Sequence, residues 1–210
     1  MAERLSAGNS ALALLANSLA TGAALVALIL TFGPISGAHF NPVVTLADAL
    51  ERGIPWRGAS AYIAAQVFGA IAGTLGAHAM FGLPAISLSQ HSRSGSAQMF
   101  SEFVATFGLL SVIWGCSRFR ATSVAFAVGS YITAAYWFTS STSFANPAVT
   151  IARSLTDTFA GIRPADAGGF IIAQLLGGVA ATFLFQWLAP GLVANAKEVV
   201  IPHGTAKETD

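Results

Sequence analysis

The 210-residue chain is 54% apolar and only 9% Asp, Glu, Lys or Arg, with a formal net charge of +1. Soluble domains carry roughly 25% charged residues, so this chain lacks the charge to clothe a water-facing surface. With no basic block there is no electrostatic footing for nucleic acid, and a single cysteine, Cys116, excludes a disulfide framework or a cysteine-rich metal site.

What remains is a polytopic membrane protein whose 21 glycines suit close helix packing. A span needs about 20 apolar residues to cross about 30 Å of hydrocarbon. Five stretches qualify: Ala11–Phe32, Gly58–Phe81, Met99–Ser117, Ala121–Phe138 and Ala167–Ala189, of which only the third holds a formal charge, Glu102. Ala11–Phe32 is too long for a signal-peptide core and no small-residue cleavage pattern follows it, so it reads as a retained span. The Ser-rich segment 82–98 reads as a solvated linker, Ser117–Ala121 as a tight polar turn, and the tail 190–210 as polar and disordered. Two links, Gly33–Arg57 and Thr139–Asp166, are too long and too apolar for ordinary loops; each contains Asn-Pro and then about nine residues of helical character.

Those two links repeat one another. Asn41-Pro42-Val43-Val44-Thr45 matches Asn146-Pro147-Ala148-Val149-Thr150 at an offset of 105, and Ala65-Gln66-Val67-Phe68-Gly69 matches Ala173-Gln174-Leu175-Leu176-Gly177 at 108. The single channel domain, 1–210, then comprises repeat one (11–81), the linker (82–98), repeat two (99–189) and the tail. Three spans separate the two Asn-Pro boxes, an odd number, so the boxes enter from opposite faces and the repeat is inverted. Repeat one has nothing that corresponds to Met99–Ser117, which predicts one helix missing before Met1, through an internal start site or a truncation.

In each box Asn takes the N-cap and Pro the first helical position, where its missing N–H costs nothing. A half-helix of about ten residues spans roughly 15 Å, so two of them meet near the midplane with their positive ends facing. Such an arrangement donates hydrogen bonds to a passing oxygen and repels cations and protons. It makes and breaks no bond, and the sequence has neither Gly-x-Ser-x-Gly nor His-Glu-x-x-His, so an enzyme is not expected.

The paired boxes, the lead-in Ser36-Gly37-Ala38-His39-Phe40 and the Ala-Gln-x-x-Gly signature resemble the aquaporin/glycerol-facilitator (major intrinsic protein) family over residues 11 to 190. The resemblance implies an all-α membrane fold of inverted repeats with two re-entrant half-helices, five full spans in place of six, one pore per protomer and a homotetramer. It also implies that Glu102 is the buried glutamate holding pore-loop N–H groups; His39, one turn from the narrowest region, reads as a hydrogen-bonding support for the other loop or as a residue lining the inner mouth. The boxes read Asn41-Pro42-Val43 and Asn146-Pro147-Ala148, and Val149 stands where most members have arginine. Counted without gaps, the remaining constriction positions fall at Thr21, Ala134 and Ser143, with Ile132 or Tyr136 replacing Ala134 if a gap intervenes.

Thr, Ala, Ser and Val form a wide, uncharged opening. The expectation is a passive channel in the cell membrane for small neutral solutes (glycerol-like polyols, urea, undissociated metalloid acids such as arsenous acid) and water, without cofactor or metal. The main rival is an inverted-repeat transporter, disfavoured because no ionisable coupling residue falls at the crossing point, and a third reading is a truncated, non-conducting remnant. Arg153 aligns with Asp48 across the repeat and reads as an anchor for the mouth of its half-helix.

Overall fold

The computed structural model describes residues 1–188; the tail expected to be disordered lies outside the described residues. All regular structure among them is helical: α1 (Ala2–Leu5), α2 (Ser10–Ser36), α3 (Pro42–Leu50), α4 (Trp56–Phe81), α5 (Ser96–Phe119), α6 (Val124–Phe138), α7 (Pro147–Arg153) and α8 (Pro164–Leu188). Helices α2, α4, α5 and α8 are long and apolar enough to cross a membrane. The fifth span, α6, has 15 residues, and the three before it, Ala121–Ser123, form one turn of 3₁₀ helix instead of continuing the α-helix.

The half-helices have nine residues in α3, close to the sequence expectation, and seven in α7, shorter than it. Both begin as expected: Asn41 and Asn146 are extended N-caps, each accepting a first-turn N–H, and proline follows. Three helices, α4, α5 and α6, lie between them, so the half-helices run in from opposite sides and meet tip to tip.

Small residues set the closest helix approaches. A methyl at Gly22 of α2 would strike Thr133 and the Gly129 carbonyl of α6, and one at Gly177 of α8 would strike the Phe103 carbonyl of α5. One at Gly178 would run into Val43, so Val43 is a packing residue, buried against α8 and away from the cavity. Gly178→Ala is therefore expected to destabilise the detergent-purified protein by about 1–3 kcal/mol. Val43→Ala in the same chain should recover most of that, and a double-mutant denaturation cycle reads the coupling. Simple additivity would reject the contact.

The two repeats are not equally covered. Gly177 is sealed by α5, whereas its counterpart Gly69, together with Gly73 and Gly76, has nothing within 4 Å among the described residues. The Gly69-x-x-x-Gly73 packing motif thus faces outward, and no described helix stands to α4 as α5 stands to α8.

Most of the linker is exposed, but Ser89 and Arg93 are buried and tie it to the second half of the chain. Ser87 and Ser89 donate their N–H groups to Leu155 and Ser154 carbonyls at 3.0 and 3.1 Å, and Ser89 is fully buried. Arg93 plunges inward, its Nε and Nη1 donating to the Gly161 and Ser141 carbonyls at 2.8 and 2.9 Å. A Ser-rich composition suggests solvation, but here those backbone groups are satisfied by the segment after α7, and the linker is part of the pore's scaffold.

Candidate solute pore

The loop before each half-helix carries the repeat in its backbone angles. Gly37, Ala38 and Phe40 have φ of 76°, 47° and 50°; Thr142, Ser143 and Ala145, offset by 105, have 60°, 49° and 47°. Left-handed φ at five non-glycine residues is costly and persists only where the surroundings enforce it.

Part of that enforcement is a reciprocal clasp. Asn41 Nδ2 donates to the Ala145 carbonyl at 2.7 Å, and Asn146 Nδ2 donates to the Phe40 carbonyl at 2.8 Å. Each carboxamide oxygen meanwhile caps its own helix, Asn41 taking Val43 N–H at 3.0 Å and Asn146 taking those of Ala148 and Val149 at 3.0 and 3.3 Å. Sequence alone aims the first-turn N–H groups at the pore; the caps take those of Val43, Ala148 and Val149, and that of Val44 has no acceptor among the described residues. What each Asn presents is the second hydrogen of its amide, since an –NH₂ group has two.

A second device was missed from sequence. Gln66 Nε2 donates to Thr45 Oγ1 and Gln174 Nε2 to Thr150 Oγ1, both at 2.9 Å, so each long helix grips its half-helix identically. The signal was present in the Gln and Thr that recur in both halves. Gln174 goes on to donate to Glu102 Oε2 at 2.6 Å, whereas Gln66 Oε1 is buried without a partner among the described residues.

Glu102 is fully buried and accepts four bonds. Its Oε1 takes Ser141 Oγ–H at 2.6 Å and Phe144 N–H at 2.9 Å; its Oε2 takes Ala145 N–H at 2.8 Å as well as Gln174. On the other loop His39 joins two turns of α3, its Nδ1 3.1 Å from Thr45 Oγ1 and its Nε2 3.8 Å from Asp48.

Around the clasp lies a cavity of about 130 Å³ lined by both Asn residues. One wall is apolar, built by Leu25 and Ile29 of α2, Leu109 and Ile113 of α5, and Val128 and Ile132 of α6. The other is the polar strip of the two loops. Thr21, Ser143 and Val149 line this cavity as well. Ala134 does not: it is exposed on the outer side of α6, and Ile132 and Tyr136, one turn apart on the opposite side, face the cavity. Residue 134 is about 200° round the helix from 132, so an ungapped count that misses by two reverses the face. Arg153 also lines the cavity, its Nη2 donating to Tyr136 Oη at 2.9 Å, with Thr21 Oγ1 3.3 Å beyond.

Inverted repeats, opposed half-helices and an oxygen-accepting cavity between them define a membrane channel. The sequence matches the family model described as Major intrinsic protein over residues 2–120 and 115–209. It is 57% identical to "Aquaglyceroporin AqpS" of Rhizobium meliloti (strain 1021) over 90% of this chain and 80% of that protein. It is 32% identical to "Probable aquaporin AqpM" of Archaeoglobus fulgidus over 81% of this chain and 75% of that protein. To "Aquaporin NIP1-1" of rice (Oryza sativa subsp. japonica) it is 46% identical, over 45% of this chain and 34% of the plant protein. The chain belongs to the major intrinsic protein family, whose members are membrane channels and not enzymes.

Proposed function

We infer that the chain is a passive channel for small neutral solutes: glycerol-like polyols, urea and undissociated metalloid acids such as arsenous acid, with water passing too. The observation that carries this reading is Val149. It faces the cavity with Thr21, Ser143 and Ile132, so the position where family resemblance puts a narrowing arginine carries no charge, and the arginine that does line the cavity, Arg153, stands one turn further along α7. Its similarity to a protein named as an aquaglyceroporin supports the same solute class. The channel works as a homotetramer in the cell's plasma or inner membrane, and the amide hydrogens of Asn41 and Asn146 select for oxygen-bearing solutes.

Stopped-flow swelling of proteoliposomes under glycerol, urea and arsenous acid gradients tests it. Swelling above empty vesicles, linear in the gradient and indifferent to uncouplers, is the expected result. Saturable, ion-coupled uptake would instead establish a transporter.

A further inference from the structure

Two guanidinium groups lie over one aromatic ring of the cavity lining. Arg153 places Cζ 4.4 Å from the Phe144 ring centroid, and Arg93 places its own 4.9 Å away. The ion pairs among the described residues are His39–Asp48 and Arg163–Asp166, so neither of these two cations has a carboxylate partner there. Arg93 is occupied by the carbonyls of Gly161, Ser141 and Phe159. Burial and then Arg153 bring its pKa down to about 10, which leaves it charged at neutral pH and a source of positive potential.

Arg153 is not occupied in that way. It lines the cavity, and among the described residues Nη2 is its one side-chain nitrogen with a protein acceptor, the Tyr136 hydroxyl. Ser143 supplies an independent sign. The residue lines the same cavity and is 2% exposed, and its buried Oγ has no hydrogen-bond partner among the described residues. A buried hydroxyl left unmatched in the wall of a cavity that also holds a cation with unused donors is a costly arrangement unless something fills it.

We propose that Arg153, Tyr136 and Ser143 form a binding site for the oxygens of a small monoanionic oxoacid at this end of the pore. The site rests on the channel reading only for its position beside the constriction. A neutral polyol needs no fixed cation, whereas the planar guanidinium fork matches two oxygens on one centre and holds them more strongly than a point charge. The apolar wall opposite keeps the local dielectric low and strengthens that attraction. A merely structural arginine, placed at the C-terminal end of α7 to complement the helix dipole, would need only its charge, which lysine also supplies.

Methanesulfonate is the probe, because it stays ionised at working pH and does not leak through bilayers as a neutral acid. Titration calorimetry on the full-length protein in detergent should detect binding to the wild type. Arg153→Gln should weaken it about tenfold or more, and Arg153→Lys by less but measurably, since charge survives without the fork. In vesicles, methanesulfonate should slow glycerol efflux through the wild type and not through Arg153→Gln. If Arg153→Gln fails to fold, Tyr136→Phe and Ser143→Ala carry the test, each expected to weaken binding while leaving the cation in place. A wild type that binds no more than a matched chloride control, or variants that bind as it does, would overturn the site. Vesicles that pass no glycerol would sink the channel reading alone, because the binding arm is read without conduction.

Discussion

Replacing Val149 with arginine is expected to cut glycerol permeation of reconstituted vesicles about tenfold or more, which corresponds to about 1.4 kcal/mol on the barrier. Val149 sits in the first turn of α7, its N–H held by Asn146 Oδ1 at 3.3 Å, so its backbone is fixed and a new side chain must enter the cavity it already faces. Across that cavity stand Thr21 and Ile132. A guanidinium there would both fill the opening and set a second cation one turn from Arg153, with no carboxylate among the described residues to neutralise either. Water, being smaller, should lose less flux than glycerol, so the ratio of the two rates is the informative quantity. Val149→Leu separates the two causes: bulk without charge should slow glycerol while leaving methanesulfonate binding in place. If Val149→Arg leaves both fluxes where they were, Val149 does not stand at the constriction.

Much of this pore was legible from composition and repetition. Charge scarcity gave a membrane protein, and an odd number of spans between two Asn-Pro boxes gave opposed half-helices; both inferences depend on counts that survive small boundary errors. The loop conformations also follow the repeat, since left-handed residues recur at the same offset of 105. What failed was anything depending on the angle of a single residue round a helix. Ala134 and Ile132 differ by two positions, yet one is exposed on the outer surface and the other faces the cavity. The residues gathered at the Arg153 mouth were equally out of reach. Arg93 arrives there from a Ser-rich segment that looks solvated, and it meets Phe144 and Arg153, some fifty and sixty residues away, only because the linker pairs with the backbone after α7. No periodicity encodes that convergence.

Removing the Glu102 carboxylate is expected to have the largest effect on the pore's integrity. Four donors converge on it, three from the second pore loop and one from Gln174, and all of them are buried. Each orphaned donor costs about 1–3 kcal/mol, and a folded protein has only about 5–15 kcal/mol in hand. Glu102→Gln keeps one oxygen for Ser141 and Phe144 but turns an amide nitrogen toward the Ala145 N–H, donor against donor. Yields of folded protein should therefore fall in the order wild type, Glu102→Gln, Glu102→Ala. The first loop sharpens the expectation, because it holds the same left-handed residues while the N–H groups of His39 and Phe40 have no acceptor among the described residues. That loop leans instead on the clasp, on Gln66 gripping Thr45, and on Tyr62 Oη–H donating to the Ser36 carbonyl at 2.6 Å. The clasp in turn ends on the Ala145 carbonyl, in the loop that Glu102 fixes. Losing the carboxylate should thus loosen both Asn tips together. Amide hydrogen exchange of Glu102→Ala should quicken at Phe40 and Asn41 as well as at Phe144 and Ala145. Exchange that quickens in the second loop alone would show that the two tips are held independently.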